Sequence, residues 1–186
     1  MPYPMKDLSK HILDIVQNSI RAKAKLIRIE IIESPDENRL TVSISDDGTG
    51  MEPEQLKKAT DPFYTSRTTR KVGLGLSLLK QNAELTGGIF RIESESGKGT
   101  RVTAKFVLNH LDRPIIGDLV GTLLILICSP GHTEYVFKHQ TARGTFELDT
   151  REIRQTLENV PLNHPDVRQF LKEMLCENLE QLQISE

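Results

Sequence analysis

The stretch Asp46-Asp47-Gly48-Thr49-Gly50-Met51 follows a run in which Leu40, Val42 and Ile44 alternate with Thr41, Ser43 and Ser45. Alternation of apolar and polar residues with a period of two is the pattern of a half-buried strand. A strand that ends in Asp-x-Gly-x-Gly brings a carboxylate and a backbone lacking Cβ atoms to one place. The Asp46 carboxylate accepts hydrogen bonds, for instance from an exocyclic amine. Gly48 and Gly50 let the main chain bend sharply and approach a flat ligand closely. Taken alone, the same pattern also describes a plain hairpin or strand-to-helix corner, so the neighbouring segments decide its meaning.

Upstream, Leu8 to Lys23 has the spacing of a helix. Leu8, Ile12, Ile15, Ser19 and Ala22 fall on one face, widened by Val16 and Ile20. His11, Asp14, Asn18 and Arg21 form the opposite stripe, a solvated face or a row of ligand-binding groups. Asn18 is the informative member, because an amide oxygen suits a hard cation such as Mg²⁺, which shares oxygen ligands with phosphates. Leu26 to Glu33, with Ile27, Ile29 and Ile31 on one side, and Arg39 to Ser45 form a hairpin around Ser34-Pro35-Asp36-Glu37-Asn38. This hairpin delivers Asp46 to its position.

Downstream, Pro53 opens a short helix to Ala59. Asp61 to Val72, rich in hydroxyls and cations, is either an exposed loop or a lid whose Arg67, Arg70 or Lys71 neutralises phosphate charge. Gly73-Leu74-Gly75-Leu76 opens a helix that runs to about Thr86, with Leu74, Leu78 and Leu85 on its core side and Gly87-Gly88 as its stop. Glycines at a helix start leave backbone N–H groups open to an anion, although close helix packing also calls for glycine. Ile89 to Ser94 and Thr100 to Leu108 form a second hairpin around Gly97-Lys98-Gly99.

Composition narrows the class. The chain has 186 residues, a formal net charge of -2 and 37% hydrophobic residues, which suits a soluble domain with a small appendage. No broad basic excess suggests nucleic acid. Cys128 and Cys176 form no ligand pattern, and His110, His132, His139 and His164 are scattered, so no structural metal is expected. Met1 to Lys10 has no signal-peptide core, and the apolar run Leu119 to Cys128 is too short to span a bilayer. The expectation is a cytoplasmic protein without a membrane partner.

Five motifs stand in order: Asp14-x-x-x-Asn18-Ser19, Asp46-x-Gly48-x-Gly50, Pro62-Phe63-Tyr64-Thr65, Gly73-Leu74-Gly75-Leu76 and Gly97-Lys98-Gly99-Thr100. Together they resemble the histidine-kinase-like (GHKL, Bergerat-fold) ATPase superfamily of sensor kinases, anti-sigma-factor kinases, gyrase B, Hsp90 and MutL. The resemblance spans Lys6 to Leu108. It implies an α/β two-layer sandwich, a mixed β-sheet with helices on one face, that binds ATP and Mg²⁺. By position, Asn18 matches the magnesium-binding asparagine, Arg21 a phosphate contact, Asp46 the adenine-recognising aspartate, and Gly48, Gly50 and Met51 the adenine-side turn. Phe63, Tyr64 and Thr65 match the lid, Gly73, Leu74, Gly75 and Leu76 the phosphate side, and Thr100 the threonine supporting adenine.

Asp14 stands where hydrolytic branches carry a glutamate as general base, and it is the candidate catalytic residue, one methylene shorter. Lid and glycines resemble histidine and anti-sigma kinases. The segment before the first motif is too short for a dimerisation helix with a phosphoacceptor histidine, so a free-standing module serving a partner protein is expected. A homodimer is a further expectation.

The remaining third follows the boundary at Arg113-Pro114. The division expected is residues 1–110 for ATP binding and 111–186 for a small α+β extension. The extension comprises a buried helix over Ile115 to Cys128, a hairpin of Glu134 to Gln140 with Thr145 to Leu148, and a helix started by an Asp149–Glu152 capping box. A last helix begins at Asn163-His164-Pro165, with Val167, Phe170, Leu171, Met174, Leu175 and Leu179 on one side, packing on its own chain or docking a partner. Three functions fit: phosphoryl transfer from Mg-ATP to a protein, an ATP-hydrolysing conformational switch, and a non-catalytic ATP sensor.

Overall fold

The computed structural model describes residues 7–61, 75–158 and 160–182. The chain runs α1 (Leu8–Arg21), β1 (Leu26–Ser34), a 3₁₀ turn (Pro35–Glu37), β2 (Arg39–Asp46), α2 (Pro53–Lys58), α3 (Gly75–Leu85), β3 (Ile89–Glu95), β4 (Gly99–Val107), α4 (Leu119–Ile127), β5 (Glu134–Thr141), β6 (Gly144–Asp149), α5 (Thr150–Leu157) and α6 (Pro165–Leu182). Six strands form one mixed sheet in the order β3-β4-β2-β1-β5-β6. The pairs are antiparallel except β1 with β5, which run parallel.

The register explains the two faces. Ile29 lies opposite Ile44 and Phe137, and Ile44 opposite Val102. Ile27, Ile29, Ile31, Leu40 and Phe137 are each 0% exposed. Burying side chains of this size contributes roughly 1.5–3 kcal/mol each, and α1, α3, α4 and α6 supply the cover. The intervening residues face away from these helices. Arg28, Arg91, Glu93, Arg101 and Glu147 are exposed there, and Lys138 pairs with Glu147 across β5 and β6. The expected α/β two-layer sandwich is the architecture found. The hairpin β5–β6 adds to the same sheet through the edge of β1.

Several local expectations are corrected. His11 does not share the open stripe of α1; it is 1% exposed, with Nε2 3.0 Å from Asn82 Nδ2 on α3, because α3 packs on that side. Ile20, expected to widen the apolar face, is 39% exposed. The core side of α3 is Leu79, Asn82 and Ala83, while Leu85 projects outward. The helix exists as expected but with a different phase, and Leu74 lies outside the described residues. The helix expected from Ile115 begins only at Leu119, since Gly117 takes a left-handed φ of 77° and Asp118 caps the helix through the Gly121 amide. Ile115 instead bridges to Asp7 ahead of α1. Asp149 does cap α5, but through the Arg151 amide rather than a box with Glu152. Phe170 is exposed on α6, whose buried side is Val167, Leu171, Leu175, Leu179 and Leu182. Among the described residues no helix is long and apolar enough to cross a membrane.

Candidate functional site

The site grows from the end of β2. Pairing places Asp46 opposite Thr100 of β4, and Thr100 opposite Ser94 of β3, all on the face that carries the core. The Ser94 and Thr100 hydroxyls lie 2.9 Å apart. Ser19 reaches down from α1 and donates to Asp46 Oδ2 at 2.6 Å, while the Gly48 amide donates to Asp46 Oδ1 at 2.9 Å. A polar row thus interrupts the apolar face at one end of the sheet. An ionised carboxylate offers about four lone-pair sites, so two donors leave acceptor capacity for a ligand.

Glycine is required by close backbone contact here. Gly48 packs on Ala22 at the end of α1: a Cβ at Gly48 would lie 2.8 Å from the Ala22 carbonyl oxygen. Gly50 has φ of 64°, and a Cβ there would run into the Glu95 carbonyl. The Gly97 amide donates to the Thr49 carbonyl at 2.8 Å, which ties the turn after β2 to the β3–β4 turn. Asp47 adds a brace, with Oδ1 accepting from the amides of Lys25 at 2.7 Å and Leu26 at 2.9 Å. Met51, half-buried, ends this turn.

A second group lines α1 and the start of α3. Asp14 is half-buried, and a Cβ on Gly75 would strike its carboxylate. Gly75 therefore leaves room for an α1 carboxylate against the first described residue of α3. Asn18 and Arg21 are exposed on the next turn, with Arg21 Nη1 donating to Asn18 Oδ1 at 2.7 Å. Leu76 is partly buried against the core.

The structure therefore brings together Asp46, Gly48, Gly50 and Thr100 through direct or paired contacts, and separately Asp14 with Gly75 and Asn18 with Arg21. Phe63, Tyr64, Thr65, Gly73 and Leu74 lie outside the described residues. Sequence reasoning gave no site role to two hydroxyls, Ser19, which entered only as the end of a motif, and Ser94. The signal for Ser19 was a polar residue placed in the apolar stripe of α1. That for Ser94 was its register position opposite Thr100. Among the described residues no cluster of three or more His, Cys, Asp or Glu side chains is placed to hold a metal by itself.

Comparison with known proteins places this geometry. The family model described as "Histidine kinase-, DNA gyrase B-, and HSP90-like ATPase" matches residues 5–110, more than half of the chain. The "Non-motile and phage-resistance protein" of Caulobacter vibrioides is 31% identical over 119 residues, covering 59% of this chain and 14% of that protein. Sporulation kinase E of Bacillus subtilis is 34% identical over 94 residues, covering 50% of this chain and 13% of that protein. Sensor histidine kinase YxdK of Bacillus subtilis is 31% identical over 98 residues, 50% of this chain and 30% of its own length. The chain thus spans less than a third of these relatives. Among solved structures, the N-terminal domain of a DNA repair protein shares the fold, with a TM-score of 0.53 at 18% identity over 78% of this chain and 52% of the other.

Proposed function

Because this chain belongs to the histidine kinase-, DNA gyrase B-, and HSP90-like ATPase family, we propose that it binds Mg-ATP at the Asp46 end of the sheet and passes the γ-phosphoryl group to a partner protein. The single observation that carries the reading is the convergence of Ser19, Asp46, Gly48 and Thr100 from separate segments onto one polar row. In this reading Asp46 accepts from the adenine amine while Ser19 and the Gly48 amide hold its carboxylate in place. Thr100, backed by Ser94, supports the base, and the bare backbone of Gly48 and Gly50 with Met51 forms the turn against it.

By the resemblance, the phosphates would lie toward α1 and the start of α3. Bound ATP supplies the transferable phosphoryl group, and Asn18 is the residue here that would offer an oxygen to its magnesium. That oxygen now accepts from Arg21. Phosphate oxygens are the stronger partners for a guanidinium, so Arg21 would be the cation available to them and the Asn18 oxygen would be left for the magnesium. Gly75 and Leu76 stand at the start of α3 beside Asp14 and, like Gly73, Leu74 and the lid residues Phe63, Tyr64 and Thr65, are assigned to the nucleotide by resemblance. Similarity to several kinases over this segment supports transfer to a protein.

One observation favours a second reading, hydrolysis in a conformational switch: the Asp14 carboxylate stands one turn from Asn18 and against Gly75. Incubation with γ-labelled ATP and candidate proteins separates the two. Label on a partner supports transfer. Release of free phosphate that is lost in Asp14→Ala supports hydrolysis, and neither product from a protein that binds ATP contradicts both.

A further inference from the structure

The segment matched to the family ends at residue 110, but two residues beyond it hold the loop on which the Asp46 turn rests. That loop, residues 22–25, follows α1 and is bent tightly: Lys23 has a left-handed φ of 59°, and the Ala24 amide donates back to the Ser19 carbonyl at 3.1 Å. A lysine in this conformation is costly where glycine would be at ease, so neighbours must hold the bend. On one side they belong to the site. The Thr49 amide donates to Ala22 at 2.8 Å, Asp47 accepts from Lys25 and Leu26, and Gly48 packs on Ala22.

On the other side they belong to the C-terminal third. Thr133 Oγ1 donates to the Ala24 carbonyl at 3.0 Å, and the Glu134 amide to the Lys25 carbonyl at 2.7 Å. Glu134 is itself anchored: its Oε2 accepts from Thr150 Oγ1 at 2.5 Å, and Thr150, 0% exposed, accepts from the Tyr135 amide at 2.8 Å. The carbonyls of Ala22, Ala24 and Lys25 are therefore all taken, one by the glycine turn and two by the start of β5. Ala24 is 5% exposed, so an unpaired carbonyl there would be left without solvent.

We infer that Thr133 and Glu134 are positioning residues for the base-recognising turn, so that the strand β5 and the cap of α5 tune how well this chain selects adenine. The inference rests on the proposed reading of the site. It gives β5 and the cap of α5 one route from the C-terminal third to the nucleotide site.

Competition of ATP and GTP against a fluorescent ATP analogue on the full chain tests it. Thr133→Val keeps the side-chain shape and removes the donor. It is expected to lower the ATP-to-GTP preference by up to about five-fold, the ceiling reached if the full worth of one hydrogen bond were felt at the site, and Thr133→Ser is expected to keep the preference of the wild type. Equal weakening of both nucleotides would mark a merely structural role and overturn the inference, as would an unchanged preference. A second measurement needs no variant. Saturating Mg-ATP should slow amide hydrogen exchange at Glu134 together with Thr49, and slowing at Thr49 alone contradicts the coupling. If the wild-type chain binds no ATP, the reading of the site and this inference fall together; if it binds ATP with Thr133→Val indifferent, only the inference falls.

Discussion

Single residues carry tests that do not depend on the partner. Gly75 leaves room for its neighbour: a methyl group there meets the Asp14 carboxylate, which would have to turn away. Gly75→Ala is expected to change stability by no more than about 1 kcal/mol, since displacing Asp14 offsets the helix propensity that Ala gains, and Asp14→Ala in the same chain should make the change more favourable. A double-mutant cycle by denaturant unfolding is expected to show coupling of at least about 0.5 kcal/mol; strict additivity would mean the contact carries no energy. His11 is buried against Asn82, so no phosphate label is expected on it, and phosphopeptide mapping after reaction with labelled ATP checks this. The place of Asp46 at the end of β2 was legible from the alternation before it, whereas Thr100, which the structure pairs with it, entered only through the resemblance of its motif. The place of His11 was not legible, because the spacing of α1 says nothing about which neighbour covers its polar side.

Elements were legible in proportion to how local their causes are. Both N-terminal hairpins follow from alternation and turn residues, and their observed ends differ from expectation by one residue. The apolar run of Ile115 and Ile116 suggests an earlier start for α4 than the structure has, although Gly117-Asp118 is a recognisable stop-and-cap signal. The phase of α3 was not legible, since its buried side includes Asn82, chosen to meet His11 rather than by hydrophobicity. Helix α5 offers a pH test. The Asp149 carboxyl is held below its ordinary range chiefly by its hydrogen bonds from Arg151, burial opposing this and charge attraction adding to it. With the folded value below the unfolded one, its contribution is complete at neutral pH and is lost as pH falls through about 4 and below. Thermal melts should therefore show wild type more stable than Asp149→Asn at pH 7, by no more than about 1 kcal/mol for a partly exposed pair, with the difference vanishing in acid.

At the scale of the whole molecule, the continuous sheet is the feature that local patterns could not reveal. The parallel pairing of β1 with β5 joins residues more than a hundred positions apart, such as Ile29 and Phe137, and no turn signal encodes such a partnership. A chain ending after residue 110 should lose cooperative unfolding, because β5, the partner on the edge of β1, and the cover given by α4 and α6 go with the removed part; a sharp thermal transition in that fragment would contradict this. The central claim is that distant segments meet around one adenine nucleotide, with Asp46 as the group that recognises the base. Calorimetric titration of the full chain with Mg-ATP, beside Asp46→Asn, tests it most directly. The account predicts saturable one-site binding by wild type and at least about ten-fold weaker binding by the variant, roughly 1.4 kcal/mol, with the same melting transition. Equal affinity for the two proteins, or no binding by wild type, would contradict it.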